Sequence, residues 1–335
     1  MKKIGPPWEY WPIWLATPPV IAIYLWFALR ARHLVFFSNV NPGIPLGGIV
    51  GESKKAILDQ IPPEYLPKTV FVPAEMPREQ VLPAIRTAGI QFPLIAKPDI
   101  GERGFLVKKI SDPDELVAYL ERYPTDFLLQ EFLEEPVEAA VLFYRFPDGR
   151  FGITSVCLKD FLHVIGDGRA SVEVLMAREP RARRQLARFQ QNSPDLLNRI
   201  PAFGERVLLE PVGNHARGTK FINAAYLITP DLLDSFRALC VRLDGIRYGR
   251  FDLKTASPEA LQRGLFKIME LNGITSDPAH VYDPAHGAWR AYRDYYRHWR
   301  IIYRLHRAQR SAGIPPVSHR EAWRFFRDYF RREKP

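Results

Sequence analysis

Short apolar runs alternate with amphipathic stretches along most of this 335-residue chain. Apolar runs bounded by Gly, Pro and polar residues are typical of strands, and a 3.6-residue period is typical of helices. Strands are predicted at 92–97, 105–110, 127–135, 248–255 and within 264–277, and a hairpin is predicted at 138–159 with its turn at PDGR. Helices are predicted to begin near Lys54, after a cap at Ser111 or Asp112, after the caps Ser171 and Thr229, and near Trp289. The pattern therefore predicts a globular chain of mixed helices and strands.

The most apolar stretch lies near the beginning of the chain. Residues 11–29 hold no charged side chain and have two lysines before them and two arginines after them. About 20 apolar residues span a bilayer as a helix, so the run is just long enough. It lacks the site of a cleaved signal peptide, and its three prolines argue against one straight helix. We expect a membrane-embedded or membrane-lying anchor, with packing on the protein itself or on a partner chain as the alternative.

Positive charge is concentrated at the other end. The net charge is +10, and residues 281–335 hold 13 Lys or Arg against 5 Asp or Glu, a net of +8. Arginines at 290, 293, 297, 300, 304 and 307 form a helical stripe beside Tyr292, Tyr296, Trp299 and Tyr303, and WRFFRDYFRR at 323–332 repeats the chemistry. The arginines then face water, anionic lipid or nucleic acid. Lipid is favoured over nucleic acid, because the chain also carries the apolar segment.

The cysteines and the overall composition indicate a compartment. Cys157 and Cys240 show neither metal-site nor disulfide spacing, which favours a reducing, cytoplasmic setting. With 47% hydrophobic and 25% charged residues the chain is globular rather than disordered. Together with residues 11–29, this predicts a protein at the cytoplasmic face of the membrane, peripheral or anchored by its N-terminus.

Two neighbouring runs end in oxygen-bearing side chains. Alternate side chains of a strand share a face, so Glu270 and Asn272 should point the same way, and Asp252 could meet them from the preceding strand. Buried carboxylates need compensating cations. Two carboxylates and one amide form an all-oxygen set that suits Mg²⁺. Taken alone, each run could also be a strand end with solvated polar residues.

Lysines end two of the predicted strands. Lys97 is followed by Gly101 and Gly104, and a glycine-rich turn lets backbone N–H groups close on an anion that the lysine can reach. An ordinary turn explains this run equally well. Lys159 ends a second apolar strand in the same way.

Two glycine-bounded loops, at 166–171 and 213–218, are candidate covers for a site. The second carries His215, whose ring could act as a base. A single histidine on a loop is nevertheless expected to be merely exposed.

In their order along the chain these motifs resemble the ATP-grasp superfamily of carboxylate ligases, which includes D-alanine:D-alanine ligase, cyanophycin synthetase and glutathione ligases. The resemblance covers roughly residues 52–284 and rests on IAKPDIGERG, LLQEFLEEPVE, VIGDGRASVEVL, YGRFDLKT and IMELNGITSDP. It implies an α+β fold in which two α+β lobes grip the nucleotide. The implied division is 1–48 for the apolar segment and linker, 49–285 for the ATP-grasp domain and 286–335 for the basic helical tail.

The resemblance also implies roles for individual residues. The implied nucleotide-binding residues are Lys54 or Lys55, Lys97, Gly101, Gly104, Glu131, Phe132, Leu133, Glu138 and Lys159. Lys97 would hold phosphate, residues 131–133 would line the adenine pocket, and Glu138 would hold the ribose. The implied metal ligands are Asp252, Glu270 and Asn272, for two Mg²⁺ ions with Mn²⁺ as a substitute. Arg250 and Lys159 would be catalytic, with Arg250 facing the transferred phosphate.

The implied activity is ATP- and Mg²⁺-dependent ligation, in which a carboxylate is activated as an acyl phosphate and an amine or another nucleophile displaces the phosphate. Two features differ from the superfamily: the apolar segment stands in place of an N-terminal substrate domain, and the tail is rich in arginine. The acid and its acceptor are therefore not identified. The alternatives are a phosphotransferase that stops at the phosphorylated product, and a non-catalytic nucleotide-binding membrane adaptor. The presence of every expected charged residue argues against the adaptor.

Overall fold

The computed structural model describes residues 7–101 and 104–332, and within these ranges eleven strands form three antiparallel sheets. The strands are β1 (Thr69–Val72), β2 (Leu94–Pro98), β3 (Lys108–Ile110), β4 (Phe127–Glu131), β5 (Val137–Arg145), β6 (Phe151–Asp160), β7 (His163–Ile165), β8 (Arg206–Leu208), β9 (Lys220–Asn223), β10 (Tyr248–Thr255) and β11 (Lys267–Asn272). The predicted α+β class is confirmed.

Twelve α-helices accompany these strands in the described ranges. They are α1 (Ile13–Ala31), α2 (Lys54–Leu58), α3 (Arg78–Thr87), α4 (Pro113–Arg122), α5 (Val172–Arg178), α6 (Pro180–Arg183), α7 (Leu186–Asn192), α8 (Pro194–Asn198), α9 (Pro230–Val241), α10 (Pro258–Gln262), α11 (Ala288–Ser311) and α12 (His319–Arg332). Short 3₁₀ turns at Trp8–Tyr10, His215–Arg217 and Ala279–Tyr282 also contribute to the sites described below.

Local sequence signals set several helix starts. The carboxylate of Asp112 caps α4, and the hydroxyls of Ser171 and Thr229 cap α5 and α9, each accepting a hydrogen bond from the backbone N–H three residues on. Pro113 and Pro230 then occupy the first helical position, where a missing N–H costs nothing. Of Ser111 and Asp112, which the sequence left open, Asp112 is the cap, and the predicted caps Ser171 and Thr229 are confirmed.

Some strands are shorter than predicted. The run 105–110 forms only the three-residue β3, because Leu106 has a φ of 52°, which lies in the left-handed region and outside the strand region. The run 127–135 is a strand only as far as Glu131. Residues 132–135 instead form the connection between two sheets.

The smaller sheet has the strand order β1-β4-β2-β3. Leu94 and Ala96 of β2 are buried in its core together with Leu116 and Leu120 of α4. Since side chains alternate along a strand, Lys97 lies on the opposite face of β2, away from that core.

The larger sheet has the strand order β11-β10-β5-β6-β9. Phe251 and Leu253 of β10 and Val141 of β5 lie on one face, where they are buried with Phe236 and Leu239 of α9 in the main hydrophobic core. The alternate residues of the same strands point to the other face, which carries the candidate site.

A separate small unit lies between β6 and β9 in the chain. Strands β7 and β8 pair with each other, and Val164, Val172, Met176 and Val207 form a core with the short helices that follow. The polar stretch 178–199 forms α6, α7 and α8.

The N-terminal helix α1 packs along the C-terminal helix α11. The ring centroids of Tyr24 and Trp299 lie 4.9 Å apart, and those of Phe27 and Tyr303 lie 5.5 Å apart. Trp299 and Tyr303 of the aromatic stripe therefore pack against α1, whereas Tyr296 of the same stripe is 40% exposed. The opposite face of α1 stays exposed, so the apolar segment both packs on the protein and presents apolar side chains outward.

The prolines of the apolar segment do not end its helix. Helix α1 continues from Ile13 to Ala31 with Pro18 and Pro19 inside it. A proline removes one N–H donor and frees the carbonyl four residues earlier. Here those carbonyls belong to the exposed residues Trp14 and Leu15, where the surroundings of the protein can satisfy them.

Candidate active site

Charged and amide side chains from four strands share one face of the larger sheet. They are Glu138, Lys159, Arg250, Asp252, Lys254, Glu270 and Asn272. The register pairs Asp252 directly with Glu270 across β10 and β11, and directly paired residues lie on the same face. The predicted metal ligands are therefore brought together by strand pairing, as alternation along the sequence suggested.

Asp252 is the centre of this group. Its Oδ1 lies 3.0 Å from Lys159 Nζ, and its Oδ2 accepts hydrogen bonds from Arg250 Nη2 at 3.1 Å and from Asn272 Nδ2 at 3.0 Å. Burial by itself raises the pKa of Asp252, but Arg250 and Lys159 outweigh burial and hold the pKa below its ordinary value. The carboxylate is ionised at neutral pH.

Lys159 bridges two carboxylates. Its Nζ lies 2.7 Å from Glu138 Oε1 and 3.0 Å from Asp252 Oδ1, and all three side chains are nearly buried. Burial favours a lower pKa for Lys159, but the attraction of Asp252 and Glu138 raises the pKa above its ordinary value. A Cβ at Gly213 would lie 2.4 Å from Glu138 Oε1, so this end of the loop 213–218 lies directly against the ion pair, and any larger residue there would displace Glu138 or Lys159.

Lys97 joins the two sheets. Its Nζ donates hydrogen bonds to Gln130 Oε1 of the smaller sheet at 3.1 Å and to the carbonyl oxygen of Met269 in β11 at 2.7 Å. A β-bulge in β11 makes Met269 the residue left out of the regular ladder, which frees that carbonyl for the lysine. Burial lowers the pKa of Lys97 to about 8.

Lys54, rather than Lys55, faces the predicted metal ligands. Lys54 Nζ donates to the carbonyl oxygen of Gly101 at 2.7 Å and lies 4.0 Å from Glu270 Oε1. Lys55 Nζ instead lies 2.5 Å from Asp59 Oδ2, one helical turn on. Of the two lysines that the sequence left open, only the first lies beside the site.

The predicted adenine segment connects β4 to β5. The carboxylate of Glu131 accepts a hydrogen bond from the backbone just before β1, at 3.0 Å. The carbonyl oxygen of Leu133 accepts one from Lys254 Nζ at 2.9 Å, and the same ammonium lies 5.6 Å from the centre of the Phe132 ring. Lys254, which sequence reasoning missed, thus links this segment to the polar face of the sheet. The period-two pattern of β10 was the signal that could have found it.

The predicted phosphate loop follows β2. Gly101 and Gly104 have φ values of 154° and 75°, which glycine adopts without the penalty that a Cβ brings. Residues 102 and 103 of this loop lie outside the described residues, as do the two lysines that precede the apolar segment.

A carboxyl group that sequence reasoning did not assign lies next to Arg250. The carbonyl oxygen of Asp277 accepts a hydrogen bond from Arg250 Nη1 at 3.3 Å, and its carboxylate accepts one from the Tyr282 hydroxyl at 3.3 Å. The hydroxyl of Tyr295 in α11 lies 3.2 Å from that of Tyr282. Burial raises the pKa of Asp277 against the opposing effect of Arg250. Helix α11 therefore reaches the edge of the site.

The expectation that His215 would be merely exposed is wrong. Its Nε2 lies 2.9 Å from Glu9 Oε2, and Arg181 Nη2 donates to the two oxygens of the same carboxylate at 2.9 and 2.7 Å. The Glu9 side chain is buried. Because the chain before α1 folds back onto the loop 213–218, the histidine gains a partner about 200 positions away in sequence.

The donor chemistry fits Mg²⁺. Asp252 and Glu270 are direct partners across two strands, and Asn272 bonds to Asp252 on the same face, so two carboxylates and one amide converge. Mg²⁺ prefers oxygen ligands and keeps positions for water and phosphate. The Glu270 side chain is 35% exposed, which leaves this side of the group open to a nucleotide.

Comparison with solved structures gives matches to ligases. The structure of VanG D-Ala:D-Ser ligase from Enterococcus faecalis aligns with a TM-score of 0.42 and 13% identity, over 74% of this chain and 61% of that one. The D-alanine–D-alanine ligase from Bacillus anthracis aligns with a TM-score of 0.43 and 13% identity, over 78% of this chain and 68% of that one. A bifunctional glutathione synthetase from Pasteurella multocida aligns with a TM-score of 0.36 and 14% identity, over 68% of this chain and 34% of that one.

No family model matches the sequence, and no curated protein matches it. The chain spans 61% of the length of the first matched structure and 34% of the third. The TM-scores of all three alignments lie below 0.5. The matched proteins are ATP-grasp enzymes, the superfamily that the sequence motifs resemble.

Proposed function

We propose that this chain is an ATP- and Mg²⁺-dependent ligase that activates a carboxylate as an acyl phosphate for attack by an amine or another nucleophile. One observation carries the proposal: Lys97 of the smaller sheet reaches β11 of the larger sheet beside a face that holds paired carboxylates together with Lys159 and Arg250. A lysine between two lobes can bind the phosphates of a nucleoside triphosphate, and the neighbouring carboxylates can bind its metal ion.

Three side-chain cations are available for the phosphates. Lys97, Lys159 and Arg250 come from two sheets and converge on the group around Asp252 and Glu270. Phosphoryl transfer spreads negative charge over the oxygens of the γ-phosphate, and fixed cations stabilise that charge. Mg²⁺ held by Asp252, Glu270 and Asn272 would neutralise further charge on the phosphate oxygens.

The existing ion pairs supply the cations without leaving charges unpaired. Lys159 and Arg250 are bonded to Asp252 in this structure. When ATP binds, phosphate oxygens would become partners of these cations, and the carboxylate would turn to the metal. A buried charge without a partner is costly. Because each charge of this site would exchange one partner for another, neither the free protein nor the ATP complex would contain an unpaired buried charge.

The chain also offers a way to protect an acyl phosphate from water. The loop 213–218 already lies over Glu138 and Lys159 through Gly213. A cover over the reacting groups excludes water and holds the carboxylate and the nucleophile in line. ADP, phosphate and the ligated product are the expected products.

We place the enzyme at the cytoplasmic membrane face, with α1 lying in the interface. Helix α1 is long and apolar enough to cross a membrane. One of its faces packs on α11, while Ile13, Trp14 and Leu29 on the rest of its surface are more than 70% exposed. A helix held by its own protein along one face suits burial in the headgroup region rather than a crossing.

The basic residues near α1 complement an anionic lipid surface. A groove beside the end of α1 is lined by Arg30 together with Arg307 and Arg310 of α11. Trp289 and Trp323 are exposed on α11 and α12, and Trp suits the membrane interface. In this proposal residues 1–48 and 286–335 hold the protein at the membrane, and residues 49–285 carry the chemistry.

Nucleotide binding tests the proposed function first. The wild-type protein in mild detergent should bind ATP in a Mg²⁺-dependent manner, and Lys97→Ala should lose that binding. Lys108→Ala is the matched control, because Lys108 lies in β3 of the same smaller sheet but pairs with Glu115 at the surface. Absence of binding by the wild-type protein would remove the nucleotide site.

Trapping with hydroxylamine separates ligation from simple phosphoryl transfer. With a pool of candidate acids, a ligase yields a hydroxamate together with ADP, because hydroxylamine attacks the acyl phosphate. A stable phosphorylated product that resists hydroxylamine would establish the phosphotransferase instead.

A further inference from the structure

Two histidines and an aspartate meet away from the group around Asp252. His280 Nε2 lies 3.2 Å from Asp294 Oδ2, and His286 Nε2 lies 3.0 Å from the same oxygen. The three ligand atoms all lie within 4.8 Å of one another. The residues are 7–8% exposed, so the cluster is almost closed to solvent.

The spacing of these atoms fits a tetrahedral metal ion. Zn²⁺ lies about 2.1 Å from imidazole nitrogen and carboxylate oxygen, so two ligands of a tetrahedral ion are separated by about 3.4 Å. The two nitrogen-to-oxygen separations, 3.2 and 3.0 Å, lie close to that distance, and the ligand atoms of the two histidines lie within 4.8 Å of each other. Small outward movements of three side chains would admit the ion.

The surroundings orient the ligand atoms towards one point. His280 Nδ1 lies 2.7 Å from the Ser155 hydroxyl in β6, which fixes the ring and leaves Nε2 for the centre of the cluster. Metal-bound histidines commonly have such a partner on their second nitrogen. Arg297 Nη1 and Arg293 Nε lie 3.4 and 3.7 Å from Asp294 Oδ1, so the arginines occupy the other carboxylate oxygen and leave Oδ2 to the histidines.

We propose that His280, His286 and Asp294 bind one Zn²⁺ ion, with water as the fourth ligand. Two imidazoles and a carboxylate are a nitrogen-rich set that suits Zn²⁺, whereas the oxygen set around Asp252 suits Mg²⁺. The ligands come from the turn at Ala279–Tyr282, the segment after it and helix α11.

The ion would tie the last part of the fold to the catalytic sheet. Ser155 lies four residues before Lys159 on β6 and shares its face, which separates the two by about 13 Å along the strand. The turn that carries His280 also carries Tyr282, whose hydroxyl reaches Asp277 beside Arg250. Zn²⁺ would thus hold the Tyr282 turn and α11 in place at the edge of the site without taking part in phosphoryl transfer.

Metal titration of the full-length protein in mild detergent tests this site. After removal of metal with EDTA, the wild-type protein should bind one equivalent of Zn²⁺, and Co²⁺ in its place should give the intense visible absorption of a tetrahedral complex. Asp294→Asn and His286→Gln should each weaken Zn²⁺ binding by more than about a hundredfold, and Ser155→Ala by about tenfold, because it removes only the orienting partner.

Two controls separate this site from other metal binding. His163→Gln removes a histidine outside the cluster and should leave Zn²⁺ binding unchanged. Glu270→Gln should also leave it unchanged, because that residue belongs to the oxygen site. Circular dichroism identifies any variant that fails to fold, and the wild-type titration does not depend on variants. A wild-type protein without tetrahedral Co²⁺ absorption, or folded Asp294→Asn that keeps it, would show a metal-free hydrogen-bonded cluster and overturn the proposal.

Discussion

Lys159 Nζ lies 3.0 Å from Asp252 Oδ1, so the lysine proposed to contact phosphate is ion-paired with the carboxylate proposed to hold Mg²⁺. Glu138 pairs with the other side of the same ammonium at 2.7 Å. The negative phosphates of ATP would pair with Lys159, and the positive Mg²⁺ would pair with Asp252. In this structure the lysine and the aspartate neutralise each other. Stability and function are therefore coupled at Asp252.

Asp252→Asn should impair both properties. The substitution removes the carboxylate charge that Lys159 and Arg250 share, and breaking a buried pair by removing one partner costs about 3 kcal/mol of unfolding free energy. Mg²⁺-dependent ATP binding should be lost in parallel. Urea unfolding and nucleotide titration measure the two effects. Asp148→Asn, at the exposed hairpin turn beside Arg150, is the control and should change stability by less than about 0.5 kcal/mol.

Glu270→Gln should separate function from stability. Glu270 is about one-third exposed, and its nearest cationic atom, Lys54 Nζ, lies 4.0 Å away, so loss of the charge should change unfolding free energy by less than about 1 kcal/mol. Turnover should nevertheless disappear, because a metal-binding oxygen loses its charge with no change in volume. Hydroxamate formation at saturating Mg²⁺ provides the measurement. Full activity in this variant would remove Glu270 from the metal site.

Alternation and capping explain how much of the site the sequence could predict. Arg250 and Asp252, like Glu270 and Asn272, are two residues apart, so their shared faces follow from strand geometry before any fold is known. The side-chain caps of α4, α5 and α9 are equally local. These predictions needed only neighbours in sequence.

The rest of the site depends on contacts between distant segments. Glu9 meets His215 across 206 positions, and Tyr295 reaches Tyr282 and Asp277 only because α11 packs beside the sheet. The bond from Lys97 to Met269 depends on a β-bulge, which no local pattern showed. Long-range packing, rather than residue chemistry, limited the prediction.

Lys97 should make stability depend on pH between about 8 and 10.5. Its pKa in the folded protein is about 8, below the ordinary value of 10.5, so in this range the unfolded chain binds a proton that the folded chain does not. Stability therefore rises with pH across the window, and below pH 8 the cost of burying the charge, about 3 kcal/mol, is fully present. Lys97→Met carries no titrating charge and should lack this rise.

Urea unfolding at several pH values compares Lys97→Met with the wild-type protein. Lys108→Met, which alters a lysine near the surface, should keep the wild-type slope. Parallel plots of unfolding free energy against pH for wild type and Lys97→Met would show that Lys97 titrates normally.

The affinity for ATP should fall as pH rises through about 8, because the neutral amine of Lys97 no longer attracts phosphate.

Membrane binding should depend on the exposed face of α1. Deleting residues 1–33 is a poor test, because it would also remove Phe27 and Ala28, which are buried against the rest of the protein. The triple variant Trp14→Gln, Leu25→Gln, Leu29→Gln alters only exposed side chains, so the fold and ATP binding should be retained. Each lost apolar side chain weakens insertion into the interface.

Sedimentation with vesicles that contain anionic lipid measures the effect of the triple variant. The wild-type protein should sediment with the vesicles, and the variant should stay largely in the supernatant at the same lipid concentration. A control that changes exposed apolar residues elsewhere, Phe203→Gln with Leu265→Gln, should sediment like the wild type. If the α1 variant still sediments fully and high salt then releases it, the arginines of α11 and α12 hold the protein on the vesicles instead. The reason is that salt screens charge attraction but leaves apolar insertion unchanged.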